Sequence, residues 1–189
     1  MNRTAQITLI VTFPLFCWLG MQIVHESGHV IAAKATGGTI VAAVLYPTAI
    51  SRTEVFPNPH PLIEVWAGPV IGSVLPLIAY LIAKLLRTPG AYLVRFFAGF
   101  CLAANGSYVL AGAIARMGDP GDLLRYGAAR WQLIAFGFVT ASLGLWLWNK
   151  LGPGFGLGSA KGKVSTLAAL ISVGLLFLTL TCELLFGHP

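Results

Sequence analysis

The sequence predicts an all-α polytopic membrane protein of about five transmembrane helices, with a membrane-associated β-hairpin between the first two. Hydrophobic residues make up 57% of the 189 positions and charged residues only 10%. Mean hydropathy is +0.81, whereas a soluble domain keeps about a quarter of its residues charged. The 12 basic and 6 acidic residues fall in ones and twos at the ends of apolar runs, where they set topology and meet lipid headgroups. That pattern excludes an ordinary soluble domain, a disordered tail and a disulfide-stapled secreted module. The net charge of +6 forms no basic face, so no nucleic-acid partner is expected. A spanning helix takes about 20 residues. The chain therefore reads as a single transmembrane domain, 1–189.

The first span covers residues 7–35. Arg3 ahead of Ile7–Leu19 looks like the start of a signal peptide, but no small-x-small site follows and the apolar run resumes beyond His25. A retained helix, kinked at Pro14, is expected. Gly37-Gly38 ends it. Thr39–Tyr46 is then rich in β-branched residues, Pro47 breaks the run, and Ala49–Phe56 alternates. A hairpin fits this pattern, with an irregular loop as the alternative. The rigid segment Pro57–Pro61 follows.

The remaining spans cover residues 65–86, 92–115, 131–148 and 164–186. Trp131 opens the fourth and Trp146 and Trp148 close it, so these tryptophans lie about 27 Å apart, at the two headgroup levels. Gly68 and Gly72 give the second span a small-residue face suited to close helix packing. The glycine-rich connection 151–163 fails as a phosphate loop, because three residues rather than four separate Gly158 from Gly162-Lys163, and Val164 stands where Ser or Thr is needed. It reads as a flexible, basic connection. Cys17, Cys101 and Cys182 lie inside apolar segments and read as buried small hydrophobes. No internal repeat is visible.

Against this background His25-Glu26-Ser27-Gly28-His29 stands out. Histidines at i and i+4 project from one helical face, close enough to share one metal ion. Glu26 beside the first is placed to take a proton from water on that metal, as the general base of a hydrolase. Ionisable side chains at this density are costly in lipid, and a metal ion compensates them specifically. Chance accounts for about 0.002 such patterns in a chain of this composition. A polar helix contact or water-filled cavity without metal is the competing explanation. The spacing favours one zinc ion.

Zinc needs a third protein ligand and leaves its fourth position open. The candidates are His60, His188, Cys101, Asp119, Asp122, Glu54, Glu64 and Glu183. If the first helix crosses from side A to side B, His25 and His29 lie nearer side B. The third span returns to B, directly before Asp119 and Asp122, whereas Cys101 lies nearer A. Glu183 has wholly apolar neighbours, and His60 reads as a solvated loop residue. Asp119 before Pro120 also makes a good N-cap, with proline at the first helical position. We take Asp119 as the ligand, because the Pro-Gly after it leaves its backbone exposed, and hold Asp122 in reserve. Asn105 in the third span suits either a hydrogen bond to a substrate carbonyl or polar glue between helices.

His25-Glu26-x-x-His29 late in a first core helix, Ala67-Gly68-Pro69 opening the next, and an aspartate turn after the third resemble the site-2 protease family of intramembrane zinc metalloproteases. The resemblance covers residues 7–124. It implies zinc on His25, His29 and Asp119, water activated by Glu26, and hydrolysis of peptide bonds in or near the transmembrane segment of another membrane protein. The family's Asn-x-x-Pro stretch and Leu-Asp-Gly phrase are absent; Gly118-Asp119-Pro120-Gly121 stands in for the latter. No PDZ-like domain is seen, so the chain looks like a minimal or divergent member. A helical substrate must unwind to be cut, and the hairpin's strand edge is suited to hold it extended. A non-cleaving zinc scaffold is the main alternative, and a zinc transporter or sensor a weaker one. Retention of Glu26 argues against the first, and the apolar fourth and fifth spans against the second. Seven basic residues on side A against five on side B favour a cytoplasmic N-terminus. The resemblance instead places side B near the cytoplasm, in what is expected to be a prokaryotic cell membrane.

Overall fold

The computed structural model describes residues 3–48 and 51–186. The chain is an all-α polytopic protein: five of its helices are long and apolar enough to cross a membrane. The first, α1, runs over Arg3–Ala35, with Pro14 inside it. It starts earlier than expected because Gln6, a polar residue near its end, is satisfied: Nε2 donates to the carbonyls of Phe155 and Gly156, at 3.2 and 2.8 Å. A two-stranded antiparallel hairpin follows, β1 at Ile40–Val44 and β2 at Arg52–Val55. The hairpin, not the irregular loop, is therefore what forms. Its register pairs Ala42 with Glu54, Ala43 with Thr53 and Val44 with Arg52, and a bulge lies between Ile40 and Ala42. Positions 49–50 of the expected second strand lie outside the described residues.

The second spanning helix, α2 (Pro61–Leu85), starts with proline in its first turn, where no amide donor is needed. The third, α3 (Ala91–Ala115), ends at Arg116 in the left-handed conformation, φ 57°. A short helix, α4, then covers Gly118–Arg125. This corrects the capping expectation. Met117 holds the N-cap position without a side-chain bond, and Asp119 lies inside the first turn. The reversal at Arg116 and at Gly118 (φ 62°) starts the helix before Asp119, which frees its carboxylate from capping.

The last two spanning helices are α5 (Arg130–Trp148) and α6 (Thr166–Phe186). The connection between them is not the flexible linker expected. It forms 3-10 turns at Gly152–Phe155 and Gly158–Ala160. Phe155 is buried against Phe13, Tyr92 and Phe96, so aromatic packing fixes this segment.

Hydrocarbon gives helices no hydrophobic reason to associate, so close packing and polar contacts must hold them. The α3–α5 pair relies on the first: a Cβ on Gly106 would lie 2.6 Å from the Ala141 nitrogen, and one on Gly137 2.7 Å from the Gly106 oxygen. The two backbones touch there. Helix α6 packs on α1, where Thr12 and Ser172 share a 2.6 Å hydroxyl hydrogen bond. Cys17 and Cys101 are buried free thiols as expected, but Cys182 is exposed, because α6 contacts little besides α1. One apolar cluster around Leu9, Phe13, Cys17 and Leu93 fills side A, and another around Val109, Ala113, Leu123 and Leu133 fills side B.

Candidate metal centre

One face of α1 presents Trp18, Gln22, His25, Glu26 and His29 to a cavity of about 790 Å³. Strand β2, the start of α2, and the α3–α4 corner close the other sides. Because the helix rises one turn between i and i+4, the two histidine rings lie against each other, with centroids 5.0 Å apart.

Three ligand atoms converge. The Nε2 atoms of His25 and His29 are 3.2 Å apart, and Asp119 Oδ2 lies 2.9 Å from the first and 3.3 Å from the second. A tetrahedral ion with bonds of about 2.0–2.1 Å separates its ligands by about 3.3–3.4 Å. The triangle matches that size. Among the described residues, His25, His29 and Asp119 form the group able to hold a metal ion.

The opposite ring nitrogens make the chemistry fit as well. His25 Nδ1 donates to Asn105 Oδ1 at 2.6 Å, and Asn105 Nδ2 donates to the Cys101 carbonyl at 2.9 Å, which fixes the amide's orientation. His29 Nδ1 faces two oxygens of Glu64, the carbonyl at 3.0 Å and carboxylate Oε1 at 2.9 Å. Glu64 Oε2 in turn accepts from Asn58 Nδ2 at 3.2 Å. Acceptors at both Nδ1 positions assign the proton there and leave both Nε2 lone pairs aimed at the Asp119 carboxylate. Three converging acceptors repel one another unless a cation sits between them. A proton on Nε2 can take the cation's place: burial raises the Asp119 carboxyl, but hydrogen bonds from His25 and His29 so protonated, and their charge, outweigh it and hold it well below the usual carboxylate range. Asp119 is thus a carboxylate, the form that binds metal.

Close approach makes this possible. A Cβ on Gly68 would lie 2.6 Å from Cε1 of His29, and one on Gly72 3.0 Å from the Asn105 amide nitrogen. The small-residue face of α2 therefore seats a ring and an amide, more specific than the helix packing expected. On the other wall, Asp119 N–H donates to the Tyr108 hydroxyl at 2.9 Å. Gly118, with its left-handed φ and no Cβ, leaves room for that hydroxyl.

Glu26 is 3% exposed. Its Oε2 accepts a 2.7 Å hydrogen bond from Thr53 Oγ1 on β2, while Oε1 has no hydrogen bond among the described residues. Asn105, expected to face substrate or to glue helices, has both ends of its amide engaged, one holding a histidine ring. Glu64 meets the far nitrogen of His29 rather than the converging atoms. Asp122, its side chain 44% exposed, pairs with Arg125 at 3.1 Å, and Glu54 pairs with Arg52 at 2.8 Å. His60 is an exposed residue ahead of α2. Glu183 is buried on α6, apart from the cluster, with neither oxygen partnered among the described residues. His188 lies outside the described residues.

Sequence reasoning missed Thr53, Asn58 and Tyr108. The polar run Ser51-Arg52-Thr53-Glu54, close to the apolar spans, was the available signal for Thr53; Tyr108 had none. No profile of a known protein family, no curated protein and no solved structure matches this chain.

Proposed function

We propose that the protein is an intramembrane zinc metalloprotease that hydrolyses peptide bonds in or near the transmembrane segments of other membrane proteins. One observation carries the reading: two imidazole nitrogens and a carboxylate converge beside a buried glutamate, in a cavity walled by membrane-spanning helices. His25, His29 and Asp119 would hold the ion. Bound there, zinc supplies Lewis acidity for the scissile carbonyl and makes water a stronger acid.

The chain's own residues do the rest. Glu26 Oε1, without a hydrogen-bond partner among the described residues, accepts a proton from the attacking water. As water oxygen bonds to the carbonyl carbon and the C–N bond breaks, that proton goes to the departing nitrogen, and the second water proton follows, giving a carboxylate and an ammonium. Asn105 and Glu64 keep the histidine rings in the ligating tautomer. A substrate helix must open before its carbonyl is accessible, and residues 51–55 of the hairpin line the cavity where an extended segment would lie.

A scaffold that binds zinc without cutting has no use for a base beside its ligands, and Glu26 has that position. The test is cleavage by zinc-loaded protein in detergent of a pool of synthetic single-span segments that differ in a central helix-breaking residue. Products mapped by mass should end inside the apolar segment. Phenanthroline should abolish them and added zinc restore them. Zinc-loaded protein that cuts none of the pool would favour the scaffold.

A further inference from the structure

We propose that Thr53 is a positioning residue for Glu26, which makes the hairpin part of the catalytic machinery as well as a surface for substrate. The proposal rests on the protease reading of this site and names a residue which that reading does not require. Glu26 is almost wholly buried, and the Thr53 hydroxyl makes its one hydrogen bond among the described residues. At 2.7 Å this is a well-formed hydroxyl–oxygen hydrogen bond. The hydroxyl donates, so it occupies Oε2 and leaves the lone pairs of Oε1 for the water proton. An unanchored glutamate has three side-chain torsions to settle before each proton transfer. This one has been settled by a strand.

The register selects threonine for that place. Thr53 lies opposite Ala43, while its neighbours Arg52 and Glu54 lie opposite Val44 and Ala42. Strand alternation sends Thr53 to one face and its two charged neighbours to the other, where they pair with each other at 2.8 Å. Val44, 1% exposed, pins the strand pair. A slip of one residue would set Glu54 or Arg52 against Glu26. The same connection reaches the centre a second time, through Asn58, which holds the Glu64 carboxylate on His29. The connection from α1 to α2 thus touches the base directly, through β2, and one ligand through a single intermediary, Glu64.

The experiment has two arms. In metal-free protein, amide hydrogen exchange of Ile40–Val44 and Arg52–Val55 is compared for wild type, Thr53→Val, Glu26→Ala and the double variant. Each single change should speed exchange about tenfold, the loss of one hydrogen bond. The double variant should be no faster than the singles. In zinc-loaded protein, on a segment from the synthetic pool that wild type cuts, Thr53→Val should lower kcat at least tenfold. KM should stay within threefold and zinc at one ion per chain, and Thr53→Ser should restore kcat. Wild-type kcat in Thr53→Val, equal loss in Thr53→Ser, loss of zinc, or hairpin exchange indifferent to Glu26→Ala would each overturn the proposal. If wild type and Glu26→Gln cut alike, or neither cuts, the protease reading fails instead, and the exchange cycle still decides whether Thr53 anchors Glu26.

Discussion

His25 Nδ1 donates to Asn105 Oδ1 at 2.6 Å, and this single bond between residues on α1 and α3 decides which nitrogen of the ring faces the centre. Asn105 cannot swing to offer its amine instead, because Nδ2 is already committed to the Cys101 carbonyl. Asn105→Leu should therefore weaken zinc binding by about 10–100-fold, the usual effect of losing a partner behind a ligand. Asn105→Asp keeps the acceptor facing His25 but sets its second oxygen against the Cys101 carbonyl, so it should recover only part of that loss. Competition against a chelating dye measures both.

Gly68→Ala places a methyl group where the His29 ring now lies. Ring or helix must move, at a cost of about 1–3 kcal/mol for an overpacked site. We expect zinc affinity to fall at least tenfold while helical content by circular dichroism is retained. Gly174→Ala on α6 is the matched control, since a Cβ there meets nothing within 4 Å. It should leave zinc binding unchanged.

Asp119 and Asp122 lie three positions apart on α4 but face different partners. Asp119→Ala should strip the metal, because it removes an anionic ligand from a set of three. Asp122→Ala loses only an exposed pair with Arg125, worth about 0–1 kcal/mol. It should keep one zinc per chain in elemental analysis.

Acid should release the metal, because protons and zinc compete for the same three ligand atoms of His25, His29 and Asp119. Zinc retained after dialysis at falling pH measures this. One zinc per chain kept in strong acid would contradict the ligand set.

How much of this was readable in advance differs from element to element. The five spans were, because a helix in lipid satisfies its own backbone and needs only an apolar surface, which a one-dimensional pattern records. His25, Glu26 and His29 were, because helical spacing alone brings them to one face. Asp119 needed one further step, counting which membrane side each span reaches. The rest depends on contacts between distant positions that no local pattern encodes. Asn105 reads as polar glue or a substrate ligand until α3 is seen behind His25, and Gly68 reads as packing until the ring it seats is known. The Thr53 contact depends on the hairpin register, which the bulge after Ile40 shifts. The Asp119 cap failed for a related reason: the left-handed residues at Arg116 and Gly118 start α4 sooner than Asp-Pro suggests.

The most direct measurement pairs zinc content with cleavage in Glu26→Gln, made and assayed beside wild type on the same synthetic segments. Glutamine keeps the size of Glu26 and lies outside the ligand set, so the account predicts one zinc per chain in both proteins. Cleavage should then fall by at least a hundredfold in the variant, general-base catalysis being worth about 10²–10⁴. Equal cleavage by the two proteins, or a wild type that cleaves with no bound metal, would contradict it.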